Sequence, residues 1–196
     1  MSTIAEQVQI ETTGGRAVVA LDLSLTGTGL CTIDATGIRT HTITSKVDDG
    51  TPSGFAARCS SIVDGIAGQV AHLADDALLL VEGLSMHSKS SSLDRIFASW
   101  WMILADYQRR YGVDPVVISP SQRAMYATGR GNARKDDVLL AVARRYPDVD
   151  IRDNNQADAL AMAAMGCRHL GQPIEPSLPE LHLRAMDAVK WPELTR

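Results

Sequence analysis

Cysteine is the scarcest chemistry-bearing residue in this 196-residue chain: Cys31, Cys59 and Cys167 lie far apart, with no Cys-x-x-Cys pair. That spacing excludes a disulfide framework and a thiolate zinc site, and it suits reduced thiols in a cytoplasmic protein. The histidines His41, His72, His87, His169 and His182 also lack metal-ligand spacing among themselves. Aromatic residues make up only 5% of the chain, so an aromatic platform for stacking bases is not expected. No apolar run reaches the roughly eighteen residues a membrane-spanning helix needs. The opening residues have neither the basic start nor the apolar core of a signal peptide. A net charge of -4 excludes a chain coated in positive charge, although a local basic face is compatible with it. Neither a G-x-x-x-x-G-K-[ST] phosphate loop nor a G-x-S-x-G nucleophile elbow is present.

What the chain does have is 45% hydrophobic residues, enough for one substantial core. Residues 1–16 read as a flexible leader ending at Gly14-Gly15, 17–171 as the folded domain, and 172–196 as a proline-rich tail with a short helix around "ELHLRAMDAV". "AVVALDLS" and "GLCTID" are β-branched runs joined by a glycine turn, which predicts a hairpin. "IRTHTITS" alternates like a half-exposed third strand. "ALLLVEG" is apolar without alternation, as a central strand is, and "PVVISP" is a fifth strand bounded by prolines. Helical periodicity marks residues 55–73, "LDRIFASWWMILADYQRRYG", "KDDVLLAVARRYP" and "NQADALAMAAMGCRHLG". This order predicts an α/β fold with a mixed five-stranded sheet flanked by helices on both faces.

Two strands end on acids, Asp22 after "VVAL" and Glu82 after "LLLV". An ionised carboxylate is costly to bury unless it is paired, hydrogen-bonded or bound to metal. Ligands of open α/β sheets gather at the carboxyl ends of strands, so two such acids converge on one site. Asp158 is a third, set among alanines in the last long helix, where small neighbours let the helix lie close to the sheet. Asn155 shares its helical face, and Asp153 either caps the helix or joins the acids. Three carboxylates without histidine or cysteine partners suit Mg²⁺ or Mn²⁺. Two such ions about 3.5–4 Å apart suit phosphodiester hydrolysis.

"ALDLSLTGTGL", "LLLVEGL", "ISPSQRAMYATGRGNARKDDV" and "NNQADALAMAAM" occur in order over Val18–Gly171. Together they resemble the RuvC-type Holliday-junction resolvases of the ribonuclease H-like superfamily, especially the compact bacteriophage versions. The resemblance implies that Asp22, Glu82 and Asp158 are catalytic and bind the divalent ions, with four-way or branched DNA cut by paired nicks from a homodimer. It implies DNA-backbone contact by the element holding Thr128, Gly129, Gly131, Ala133, Lys135 and Val138, with Lys135 near the active site. With Asp22 as a metal ligand, the "TGTG" turn is expected to bring the next strand back beside it while leaving room for a DNA backbone. Two positions depart from the family. Asn155 stands where many relatives have a further acid, leaving Asn155 or Asp153 as possible additional ligands. Ser85, flanked by Leu84 and Met86, stands where relatives carry an aromatic wedge.

From Arg109 to Arg145 the chain has eight arginines and lysines against three aspartates, so this acidic protein has a basic segment. Lys135, Arg134, Arg130 and Arg123 are the expected DNA contacts there, while Arg109, Arg110, Arg144 and Arg145 read as solvated helix flanks. Trp100 continues a core stripe, and the adjacent Trp101 fits a dimer surface. Two other readings remain open: a branched-DNA-binding protein that does not cleave, and an actin-like nucleotide-binding phosphotransferase, suggested by "ALDLSLTGTG".

Overall fold

The computed structural model describes residues 15–73, 77–84, 93–175 and 177–194. Residues 1–14 of the expected leader 1–16, and the Ser85–Met86 wedge position, lie outside the described residues. Strands β1 (Val18–Asp22), β2 (Thr28–Asp34) and β3 (Gly37–Ile43) form an antiparallel meander. Strands β4 (Leu78–Glu82) and β5 (Val116–Ile118) add to it in parallel, giving the order β3-β2-β1-β4-β5. The expected five-stranded mixed sheet is therefore the one observed.

Side-chain alternation splits this sheet into two cores. Val19, Leu21, Leu79 and Val81 face α1 (Pro52–Val70) and α2 (Leu93–Tyr111), against Ile62, Ile66, Ile103 and Leu104. Val18, Ala20, Leu78 and Leu80 face the other way, onto α5 (Asn154–His169). Alanines and a glycine let α5 approach closely: a Cβ on Gly166 would lie 2.7 Å from Leu80 and 2.9 Å from Val18. Every residue from Gln156 to Cys167 is buried, so α5 is the central helix of the fold.

The sequence pattern missed one helix, α3 (Pro120–Thr128), which follows β5 directly. Its start is a capping box: the Ser119 side chain accepts from the Gln122 amide, and the Gln122 side chain accepts from the Ser119 amide. Pro120 opens the helix, and Gly129, at φ 77°, closes it in the left-handed region. The cap, proline and glycine were legible signals, but nine residues are too few for a clear periodicity. Helix α4 (Lys135–Arg145) then packs on α5.

Beyond Gly171 the chain lies on the body of the fold rather than away from it. Glu175, Ala185 and Val189 are buried, and the short helix α6 (Glu180–Leu183) and the 3-10 turn Arg184–Met186 pack against α3. The Tyr126 hydroxyl donates to Glu175, Arg168 Nε donates to that hydroxyl at 3.1 Å, and Trp191 stacks on His169. All three cysteines are free and buried. No helix of the described residues is long and apolar enough to cross a membrane.

Candidate active site

Strand parity decides where the acids point. Asp22 follows Val18 and Ala20 on the α5 side of β1, and Glu82 follows Leu78 and Leu80 on the same side of β4. The parallel register pairs Val18 with Leu78 through Leu21 with Val81, which brings Asp22 beside Glu82 at the carboxyl end of both strands. Asp158, on the face of α5 turned to the sheet, completes the group and is 0% exposed. One ligand oxygen from each of Asp22, Glu82 and Asp158 lies within 4.8 Å of the others. Among the described residues this is the one group of three or more acids, histidines or cysteines so arranged.

Two cations face the acids. Arg123 of α3, 4% exposed, donates from Nε to Glu82 Oε1 at 2.8 Å and brings Nη1 within 2.7 Å of Asp158 Oδ1. Lys135, at the start of α4, lies with Nζ 3.7 Å from Asp158 Oδ2. These contacts to Asp158 are ion pairs by distance only, because neither of its oxygens receives an aligned hydrogen bond although both are buried. A fully buried carboxylate held only by these two cations keeps acceptor capacity on both oxygens for a further one. Three clustered oxygen donors, with no thiolate or imidazole, fit a hard divalent cation.

The electrostatics agree. Burial, then the charges of Glu82 and Asp158, push the Asp22 carboxyl up to about 8, against the pull of Lys135. Burial also pushes Asp158 up to about 7, with Arg123 and Lys135 pulling the other way and Glu82 adding to the rise. Burial works against the Arg123 guanidinium, yet Glu82 and Asp158 outweigh it and hold its pKa above the usual value. Without a divalent cation, Asp22 and Asp158 therefore retain protons to unusually high pH.

The other expected site residues fall outside the triad. Asp153 is the N-cap of α5: it accepts from the Gln156 amide at 2.8 Å and from Thr42 Oγ1 at 2.5 Å. Asn155 donates from Nδ2 to the Gly27 carbonyl at 2.8 Å, tying α5 to the β1–β2 turn. The glycines of that turn hold space for this helix rather than for an open backbone-binding cradle. A Cβ on Gly29 would sit 2.1 Å from the Asn155 carbonyl oxygen. Ser24, Thr26 and Thr28 bond to one another and to the loop backbone. The turn is thus filled from within.

Arg123 was expected with the exposed cations of its segment, and the structure instead buries it between two acids. Arg130 and Arg134 are exposed on the α3–α4 connection, and Arg134 Nε is 3.5 Å from Asp137. Periodicity did not show that Trp100 also supports the site: its Nε1 donates to the Glu82 carbonyl at 2.9 Å. Its neighbour Trp101 is 65% exposed and meets Trp100 edge to face.

No protein-family model and no curated protein sequence matches this chain. Among solved structures, it is similar to Thermus thermophilus RuvC, with a TM-score of 0.58 at 20% identity over 80% of this chain and 97% of that one. It is similarly close to T. thermophilus RuvC in complex with a Holliday junction substrate, with a TM-score of 0.57 at 20% identity over 76% and 90% of the two chains. The strand order, the helices on both faces and these similarities give the chain the ribonuclease H-like fold of RuvC.

Proposed function

We propose that the chain is a metal-dependent endonuclease that hydrolyses phosphodiester bonds in branched DNA, Holliday junctions foremost, with Asp22, Glu82 and Asp158 as its catalytic ligands. The observation that carries this reading is the convergence of Asp22, Glu82 and the fully buried Asp158 at the strand ends, with one ligand oxygen of each within 4.8 Å of the others. The fold supports it, since a RuvC of the same architecture is known in complex with a Holliday junction substrate.

Mg²⁺ or Mn²⁺, two ions per site, would supply charge stabilisation of the phosphate and an activated water. Asp22, Glu82 and Asp158 would hold the ions. Arg123 keeps Glu82 and Asp158 in fixed relation. Lys135, 57% exposed, reaches from the acids toward solvent, where the scissile phosphate would approach. Arg134, exposed just before Lys135, would hold the backbone beside it. A homodimer formed across α2 would present two such sites to opposed strands.

The test uses the purified protein with a synthetic four-way junction, with and without Mg²⁺ or Mn²⁺. Paired nicks that require the cation are expected. Asp22→Asn, Glu82→Gln and Asp158→Asn should each abolish nicking while retaining junction binding. Tight binding without nicking under any cation would reduce the protein to a junction-binding module. Failure of the wild-type chain to bind or cut would end the DNA reading.

A further inference from the structure

The structure has fifteen arginines by sequence, and the described ones are almost all committed to a partner. Arg39, Arg58, Arg95, Arg109, Arg110, Arg123, Arg134, Arg152, Arg168 and Arg184 each pair with an acid, and Arg145 with backbone carbonyls. Arg130 and Arg144 are different: among the described residues, neither guanidinium has an ion pair or a hydrogen bond. Fourteen residues apart in sequence, both line one open cleft of about 360 Å³ between the end of α3, the exposed side of α4 and α6.

The walls explain why the two are held there without neutralising partners. Arg145 donates to the Tyr126 and Ala127 carbonyls at 3.1 and 2.7 Å, so it caps the end of α3 and its own charge stays at the cleft. His182 of α6 forms the far wall and is anchored at Nδ1 on the Tyr126 carbonyl, 2.8 Å away. The acid in the cleft, Asp137, is already engaged with Arg134. Three guanidinium groups against one committed carboxylate make a pocket for an anion, and its open shape suits a chain of anions passing through.

We propose that this cleft is a second DNA-backbone site, in which Arg144 and Arg130 grip a phosphate of the duplex arm away from the cut. This rests on the reading of branched DNA as the substrate. The spacing is set by α4, which begins at Lys135 beside Asp158 and carries Arg144 nine residues later. At 1.5 Å per residue that places the cleft about 13 Å along α4 from the active-site lysine. The nine-residue separation is two and a half helical turns, so Arg144 leaves α4 on the side opposite Lys135 and serves a separate site. The segment after Gly171 contributes the His182 wall, which gives it a part in DNA binding.

The experiment measures junction affinity by fluorescence anisotropy across salt concentrations, in the Asp22→Asn background with Mg²⁺ present. Arg144→Ala should weaken binding about three- to tenfold and reduce the salt slope by about 0.9, the loss of one phosphate contact. Arg144→Lys should restore most of the affinity. Arg109→Ala, which removes an equal charge from an exposed arginine already paired with Asp106, should change neither quantity. Wild-type affinity and slope in Arg144→Ala would overturn the cleft assignment while leaving the nuclease reading in place, and so would an equal loss in Arg109→Ala. A parent chain that binds no branched DNA would overturn both.

Discussion

Asp22 is an acid whose charge the surrounding fold disfavours. Its carboxyl is pushed up to about 8 by burial and by its neighbours Glu82 and Asp158. In an unfolded chain the same group titrates near 3.9. Between these values the folded protein binds more protons than the unfolded one, so this residue's contribution to stability falls as pH rises from about 4 to about 8. Asp158, raised to about 7, acts in the same direction over most of that window. This is opposite in sign to an ordinary salt-bridged aspartate. Asp22→Asn removes the disfavoured charge, and comparing the two proteins cancels the titration of every other group to first order. In chelator, the variant should be more stable than the parent at pH 8 by about 1–2 kcal/mol, or roughly 2–8 °C in melting temperature for a chain of this size. The gap should close toward pH 5. Millimolar Mg²⁺ should raise the parent's melting temperature at pH 8 and leave the variant's much less changed. A variant less stable than the parent at pH 8 in chelator would contradict the burial argument. The charge on Asp22 is tolerated because an ion is expected beside it.

At the scale of the element, the β1–β2 turn shows how a motif can be read correctly in outline and wrongly in purpose. Glycines between two strands do predict a hairpin, and the hairpin is there. Their close neighbour is Asn155, 126 positions beyond Gly29 in the chain, and no local pattern reveals a contact of that kind. Gly29→Ala should therefore be costly, because its Cβ would meet backbone that cannot rotate away. We expect a loss of about 1–3 kcal/mol and strongly reduced nicking, since α5 would shift off β2 opposite Asp22. Gly68→Ala is the control: a Cβ there meets nothing within 4 Å, on an exposed helical position. It should stabilise by about 0.5–1 kcal/mol. Calorimetry on both variants checks the pair, and equal effects would show that the close approach at Gly29 is not limiting. The strands and the long helices were legible from their periods, and so were the three acids, because strand ends and one interrupted apolar helix mark them locally. Arg123 and α3 were not, because a nine-residue helix has too few turns for a stripe. The partners of Arg123 come from β4 and α5, which only the fold brings together. Asp153 left two readings open in the sequence, and its bonds to Gln156 and Thr42 make it a cap.

At the scale of the molecule, the acids and the outer surface of α2 are joined by a short chain of contacts. Trp101 is 65% exposed, an unusual position for the largest apolar side chain, and Ile96 and Met102 are also exposed on this helix. Trp101 meets Trp100 edge to face, and Trp100 donates to the carbonyl of Glu82, a proposed metal ligand. A second copy docked on α2 would cover Trp101 and confine Trp100, holding the end of β4 in place through that one hydrogen bond. Large exposed aromatics commonly anchor interfaces, and their loss weakens association more than that of the surrounding contacts. Trp101→Glu should therefore convert a dimer to a monomer in analytical ultracentrifugation at micromolar concentration, with the helix content unchanged by circular dichroism. Cutting should change in kind as well as in amount. With the sites no longer paired, a four-way junction would accumulate singly nicked product instead of two resolved duplexes. Trp100→Phe separates the two links: it keeps the packing and removes the donor to Glu82, so it should leave the dimer intact while slowing both nicks together. A parent protein that sediments as a monomer at tens of micromolar, or a Trp101→Glu variant that still resolves junctions by paired cuts, would remove α2 as the dimer face.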